Sequence, residues 1–197
     1  MSNKRLEKGF TIVELLIAIS LVGILFVSFG SFFTNYLSLY FGLQQDSGNA
    51  VEMAEQSEHI SSVLRGLTDV NSAQANNLSV YAYFSPADTY VSLVDYYVNS
   101  AGNKVMASVT PMTSNPPVGT PIPSQTVVYT IVSNYYQKTG SSLFTYYDDN
   151  GNIIAAPVSD EHSIIELGVN LSEPAKHSKT GQQLSTVVSL RNRKTNL

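Results

Sequence analysis

The sequence predicts an α+β protein in which a long N-terminal α-helix packs on an antiparallel β-sheet domain. Three observations support this fold class. An apolar run begins at Phe10, apolar residues continue at helical spacing to Leu67, and short segments rich in Val, Tyr, Ile and Thr follow from Leu78. The 197 residues include no cysteine and no tryptophan. We therefore expect one globular domain of ordinary size whose stability comes from its apolar core and not from disulfides.

The apolar run is long enough to cross a membrane. Its strongly apolar part, residues 10–33, would form a helix of about 36 Å at about 1.5 Å per residue. It contains one carboxylate, Glu14, and the next charged residue is Asp46. A charge at the centre of a membrane helix costs on the order of 2.5–3.5 kcal/mol. The retention of Glu14 therefore indicates a use for it.

The flanking charges predict the orientation. Residues 1–9 contain Lys4, Arg5 and Lys8 against one acid, Glu7, and such a basic excess stays on the cytoplasmic side. We expect a cytoplasmic leader over residues 1–9, a transmembrane helix over 10–35, an outer half of this helix over 36–67, and an extracytoplasmic β-rich domain over 68–197. The chain would then cross the cytoplasmic membrane once, with its N-terminus inside and its C-terminus outside.

The segment Gly9-Phe10-Thr11, followed two residues later by Glu14, resembles the signal of type IV prepilins, which include pilins, minor pilins and type II secretion pseudopilins. The resemblance implies that a prepilin peptidase cuts between Gly9 and Phe10 and methylates the new amine of Phe10. It implies that Glu14 acts in assembly with other pilin or pseudopilin subunits. It also implies an inner-membrane assembly platform and membrane lipid as partners, and a final place in a surface pilus or a periplasmic pseudopilus.

Two other interpretations of the N-terminus stay open at this point. The run could be a secretory signal peptide cut near Ser28-Phe29-Gly30, or a plain one-pass anchor. Either would leave a secreted or membrane-anchored surface adhesin that does not polymerise. The length of the run and the charge of Glu14 argue against a signal peptide. A plain anchor would not explain why the helix contains Glu14.

The helix is expected to continue beyond the membrane segment. Apolar residues recur at Val51, Ala54, Ile60, Val63, Leu64 and Leu67. We predict one helix from Phe10 to about Gly66 with this stripe against the domain; the alternative is two helices separated by a break at Gly48. Beyond it, the predicted strands cover residues 78–84, 90–98, 104–110, 126–136, 143–147, 153–156, 164–171 and 184–190.

Turn residues place the connections between the strands. The segment Asp148-Asp149-Asn150-Gly151 predicts a hairpin, and the five prolines between Thr110 and Ser124 predict an extended surface loop. The last strand with its basic tail is similar to the C-terminal strand of minor pilins and pseudopilins of the PilW or GspJ kind. This second resemblance favours a minor pilin, as does the absence of proline from the apolar run.

No residues form a convincing catalytic, cofactor or metal site. The three histidines are far apart in sequence, and the Asp148 segment lacks the ligand order of a calcium loop. The tyrosine pairs 96–97, 135–136 and 146–147 are expected to place one ring inside and one outside. We therefore predict a structural subunit and not an enzyme; an anchored hydrolase is the enzymatic alternative, without a recognisable site.

Charge also argues against a nucleic-acid binder. Removal of residues 1–9 would leave 8 basic and 14 acidic side chains, a net charge of about −6. The small basic tail of Arg191, Arg193 and Lys194 could contact only a few phosphates. Nucleic acid therefore stays open as a partner only for a competence-type pilus.

Overall fold

The computed structural model describes residues 11–174 and 181–190. The chain divides into two compact units, one up to Asp46 and one from Ser47 onward. Helix α1 runs from Ile12 to Arg65 and contributes to both units. The α+β class is confirmed, and the helix continues through Gly48 as one element.

In the first unit, α1 exposes almost every side chain. Apolar residues as large as Ile12, Phe26 and Val27 are more than two thirds exposed. Its hydroxyl groups bond to the helix itself: Ser20 Oγ donates to the Leu16 carbonyl at 2.8 Å and Ser28 Oγ to the Ile24 carbonyl at 2.9 Å. Such bonds satisfy polar atoms internally, as a helix in lipid requires.

In the second unit, the end of α1 buries one face. Met53, Ser57, Ile60 and Leu64 are buried, and their spacing of three or four residues places them on one side of the helix. Burial of a side chain such as Leu64 contributes about 1.5–3 kcal/mol. The predicted stripe was wrong at Val51 and Ala54, which are exposed, because the buried face follows Met53 and Ser57.

The first sheet has five antiparallel strands in chain order: β1 (Asp69–Ala73), β2 (Asn77–Ala82), β3 (Ser92–Val98), β4 (Val105–Pro111) and β5 (Val127–Val132). Val80 pairs with Val94, and Val94 pairs with Val109. All three are buried, so this register lines one face of the sheet with valine.

The second sheet has the order β7-β6-β8-β9, with β6 (Phe144–Tyr147), β7 (Ile153–Ile154), β8 (Glu166–Glu173) and β9 (Gln182–Ser189). The predicted hairpin is confirmed, because Tyr146 pairs with Ile154 and Tyr147 with Ile153. At its turn Gly151 has φ of 77°, a left-handed conformation that favours glycine.

The turn between β1 and β2 joins the two sheets. The Phe144 amide donates to the Ala75 carbonyl at 3.0 Å, and the Tyr146 hydroxyl donates to the Gln74 carbonyl at 2.7 Å. The Val158 amide donates to the Ala73 carbonyl at 2.9 Å. These bonds, together with one continuous apolar core from α1 and both sheets, make the described residues from 47 onward a single packed unit.

The structure differs from the prediction at two strands and at one loop. Strand β1 was not predicted, and the predicted strand 126–136 ends at Val132. The proline-rich loop is not simply extended: Met112 bridges to Pro121, and Gly119 lies so close to the Ser114 carbonyl that a Cβ would overlap it.

The tyrosine pairs behave as expected in their burial. Tyr96, Tyr135 and Tyr146 are buried and their neighbours are more exposed, although the pair 135–136 lies outside a strand.

Candidate assembly site

The predicted processing residues Gly9 and Phe10 lie outside the described residues, which begin next to them at Thr11. Cleavage between Gly9 and Phe10 and methylation of Phe10 therefore stay predictions. The third predicted site residue, Glu14, is described and lies in the first turn of α1.

Glu14 forms a reciprocal cap with Thr11. The Glu14 amide donates to Thr11 Oγ1 at 3.2 Å. In return, Glu14 Oε2 accepts from the Thr11 amide at 3.0 Å and from the Thr11 hydroxyl at 2.9 Å. Because α1 begins at Ile12, Thr11 is the N-cap and Glu14 the third helical residue, the arrangement known as a capping box. Sequence reasoning missed this role of Thr11, although Thr-x-x-Glu is its signature.

The cap explains how the chain can hold a carboxylate at the start of an apolar helix. Free amides at a helix N-terminus and the helix dipole both stabilise a negative charge. The carboxylate is fixed by Thr11 and exposed at the surface, so its second oxygen can still accept a donor from outside. Thr11 thus orients Glu14, and Glu14 is the charged group that a neighbouring molecule could meet.

The surface that follows this first turn suits lipid or other apolar helices. By length and composition, α1 could cross a membrane, and within the described residues it is the one such helix. The residues of its apolar window are all exposed. Exposed apolar area of this size is costly in water, since burial contributes about 25 cal/mol per Å².

The described histidines show no site for a metal. His59 and His162 are exposed and distant in the chain, and no cluster of three or more potential ligands occurs in ranges 11–174 and 181–190. His177 and the basic tail of Arg191, Arg193 and Lys194 lie outside the described residues.

The Asp148 segment is a hydrogen-bonded turn. The side chain of Asp148 accepts from the Asn152 side chain at 3.0 Å and from the Asn152 amide at 2.7 Å. The Asn150 amide donates to it at 2.9 Å. These donors, with the Asn152 side chain first, hold the pKa of Asp148 below its usual value. The carboxylate therefore closes the β6–β7 hairpin.

Comparison with known families supports the interpretation of the N-terminus. The model of the prokaryotic N-terminal methylation motif matches residues 4–29, which include the predicted cleavage position and the capped first turn. No curated protein matches the chain. The matched motif and the exposed apolar helix are the features expected of a protein that is processed at its N-terminus and anchored by its first helix.

The matched motif and the long apolar N-terminal helix indicate a type IV pilin-like prepilin. The motif implies processing by a prepilin peptidase and assembly with pilin subunits in general. The long apolar helix fits a membrane-anchored pilin.

Proposed function

We propose that the chain is a minor subunit of a type IV pilus or of a type II secretion pseudopilus, and that it acts by assembly and not by catalysis. The observation that carries this proposal is the methylation motif on a helix whose apolar surface is exposed. The absence of proline from the apolar run and the PilW- or GspJ-like last strand support a minor subunit.

In this proposal the chain crosses the cytoplasmic membrane once, with residues 1–9 inside and the β-rich domain outside. The basic leader supports this orientation, because Lys4, Arg5 and Lys8 favour the cytoplasmic side. Removal of the leader after Gly9 separates α1 from the basic residues that hold its N-terminus at the cytoplasmic face. The helix can then leave the membrane into a bundle of like helices.

Glu14 provides the specific contact in that bundle. Cleavage creates an amine at Phe10, and Glu14 of one subunit can bind the amine of another. In a medium of low dielectric such a pair attracts strongly, while either charge buried alone is costly. A helix displaced along its axis would leave both charges unpaired, so the pair selects the position at which subunits join. The bond from Thr11 holds the carboxylate in place for this contact.

The test of processing is the mass of the mature N-terminus. The full chain is expressed with its native membrane machinery, and its first residue is identified by mass spectrometry. N-methylated Phe10 is expected. Gly9→Glu should leave the leader attached, because a side chain at this position obstructs a tight protease site. A normal mature mass in this variant would contradict the proposed cleavage position, and a start at Ser31 or an intact Met1 would favour the adhesin.

Three variants separate the charge of Glu14 from its cap. Glu14→Gln keeps a side chain that can complete the capping box but removes the charge. Glu14→Ala removes both, and Thr11→Ala removes the cap alone, at a cost of about 0.5–2 kcal/mol of helix stability. We expect all three to be cleaved. Incorporation into fibres should be lost in both Glu14 variants and only reduced in Thr11→Ala.

The measurement is the fraction of mature subunit in sheared or purified fibres, with mature mass as the control. Incorporation of Glu14→Gln at the unmodified level would show that the carboxylate serves only as a cap. That outcome would remove Glu14 from assembly and leave the processing proposal intact.

A further inference from the structure

A cleft in the β-rich domain has no part in the proposed assembly through α1. It has a volume of about 290 Å³ and is lined by the loop that joins β2 to β3 and by residues of β4 and β5. Its lining combines aromatic and aliphatic side chains with a small number of polar ones. Such a lining in a concave surface is typical of ligand sites.

Three aromatic rings line the cleft, those of Phe84, Tyr90 and Tyr129. The rings of Phe84 and Tyr129 stack with their centroids 5.0 Å apart and an angle of 28° between their planes. The ring of His59 on α1 makes an edge contact with Phe84 at a centroid distance of 5.4 Å. These two contacts hold Phe84 in place. Tyr129 is still 43% exposed and Tyr90 45%, so a large part of each ring is open to a ligand.

The cleft also contains a carboxylate without a cationic partner. Among the described residues that line it, the half-buried Asp88 is the charged one. Its Oδ2 accepts from the Ser85 amide at 2.9 Å, and its own amide donates to the Ser85 carbonyl at 3.1 Å, so the loop fixes its position. Its Oδ1 accepts no hydrogen bond from the described residues, and none of them forms an ion pair with Asp88. Partial removal of this charge from water is unfavourable until an opposite charge approaches.

We propose that the cleft is a binding site for the guanidinium group of an arginine. A cation is attracted to the face of an aromatic ring, and its N–H groups form charge-assisted hydrogen bonds with a carboxylate. A guanidinium suits both contacts better than an ammonium does, because it is planar, stacks on rings and is more weakly hydrated. The inference concerns the β-rich domain alone and does not depend on the proposed assembly through Glu14.

The surface at the cleft favours an arginine that belongs to another protein. Val127, which also lines the cleft, is 48% exposed, as are the two tyrosines to a similar extent. The centres of protein interfaces are rich in aromatic residues and arginine and poor in lysine and acidic residues. An arginine that fills a pocket between aromatic rings is a common anchor of such interfaces. Free arginine is the other source of the same group, and the test below separates the two.

The first measurement compares two ligands of the same shape. Binding to the full chain in a non-ionic detergent is followed by nuclear magnetic resonance of labelled tyrosine rings. N-acetyl-arginine N-methylamide should shift the signals of Tyr90 and Tyr129. The citrulline derivative, in which a neutral urea replaces the guanidinium, should bind about tenfold or more weakly. Equal binding of the two ligands, or no shift at these tyrosines, would overturn the proposal without the need for any variant.

Three variants then locate the site. Asp88→Asn keeps an acceptor for the Ser85 amide but removes the charge, and it should weaken binding of the arginine derivative about tenfold or more. Tyr129→Leu keeps an apolar side chain without a ring and should weaken it about two- to fivefold. Asp149→Asn removes the same charge from an exposed turn outside the cleft and is the matched control. If it weakened binding as much as Asp88→Asn, the attraction would be one of net charge alone and the site would be refuted.

Three further ligands test the chemistry and its source. The corresponding lysine derivative should bind more weakly than the arginine derivative, and equal affinity would overturn the assignment to guanidinium. Free arginine should also bind more weakly, as expected if the group is presented by a protein chain; equal or tighter binding would refute a protein source. A methyl glycoside that shifts the same tyrosines when the arginine derivative does not would overturn the proposal in favour of a sugar site.

Discussion

Two buried tyrosines provide a matched pair for testing the packing of the domain. Tyr96 on β3 and Tyr146 on β6 are both fully buried. The Tyr146 hydroxyl donates to the Gln74 carbonyl at 2.7 Å, whereas the Tyr96 hydroxyl has no partner among the described residues. Replacement of each by phenylalanine removes the same atom from two different environments.

The expected effects differ in sign. Tyr146→Phe loses its hydrogen bond and leaves a carbonyl unpaired, which should lower the free energy of unfolding by about 1–3 kcal/mol. Tyr96→Phe removes a buried hydroxyl whose burial without a bond costs about 1–3 kcal/mol, so it should be neutral or stabilising. A separation of about 2 kcal/mol corresponds to roughly 4–8 °C in Tm for a domain of about 150 residues.

The assay is thermal and urea unfolding of a fragment that begins at Ser47. Among the described residues the buried apolar core runs from Met53 to Leu190, so this fragment keeps the whole core. Near-ultraviolet circular dichroism follows the tyrosines. A loss of stability in Tyr96→Phe as large as that in Tyr146→Phe would refute the reasoning, because it would show that the Tyr96 hydroxyl is bonded, for example to a buried water.

Two further predictions concern pH and backbone conformation. Burial raises the pKa of Tyr96 and Tyr146 above the ordinary value of 10.0. Above about pH 10 the unfolded state therefore binds fewer protons than the folded state. Each tyrosine should then lower the free energy of unfolding by up to about 1.4 kcal/mol per pH unit. Tyr96→Phe should make this decline shallower, and an unchanged slope in alkaline urea titrations would contradict it. Gly151→Ala should cost about 1–2 kcal/mol because of its positive φ. A Cβ at Gly151 meets no atom within 4 Å, so an unchanged free energy of unfolding would contradict the backbone explanation.

The sequence predicted elements whose signals are local. The helix followed from the period of its apolar residues, and the β6–β7 hairpin followed from Asp148-Asp149-Asn150-Gly151. Strand β1 was not predicted because Asp69-Val70-Asn71-Ser72-Ala73 is mostly polar and becomes a strand only through its pairing with β2. The division into two sheets could not be predicted either, because β6 pairs with β8 and β7 lies between them in the sequence.

The candidate site was predictable in part. Glu14 stood out because a charge in an apolar run is costly, but its contact with Thr11 needed recognition of the capping pattern. On the buried face of α1, Ser57 was missed because the prediction used only the period of the apolar residues. A serine could occupy this face because its hydroxyl bonds to Thr186 on β9, a residue distant in sequence.

The hydroxyls of the first unit have a mechanical consequence. Ser20 and Ser28 donate to carbonyls of their own helix, so their protons are not available to a neighbouring helix and each hydroxyl oxygen is left only as an acceptor. Contacts between apolar surfaces change little when one helix slides by a fraction of an ångström, whereas a hydrogen bond to a charge depends on distance and angle and weakens as the two groups are displaced. In a bundle of these helices under tension, the initial stiffness against axial sliding would therefore be concentrated at the Glu14 turn. The apolar stretch beyond it would supply cohesion with little shear resistance.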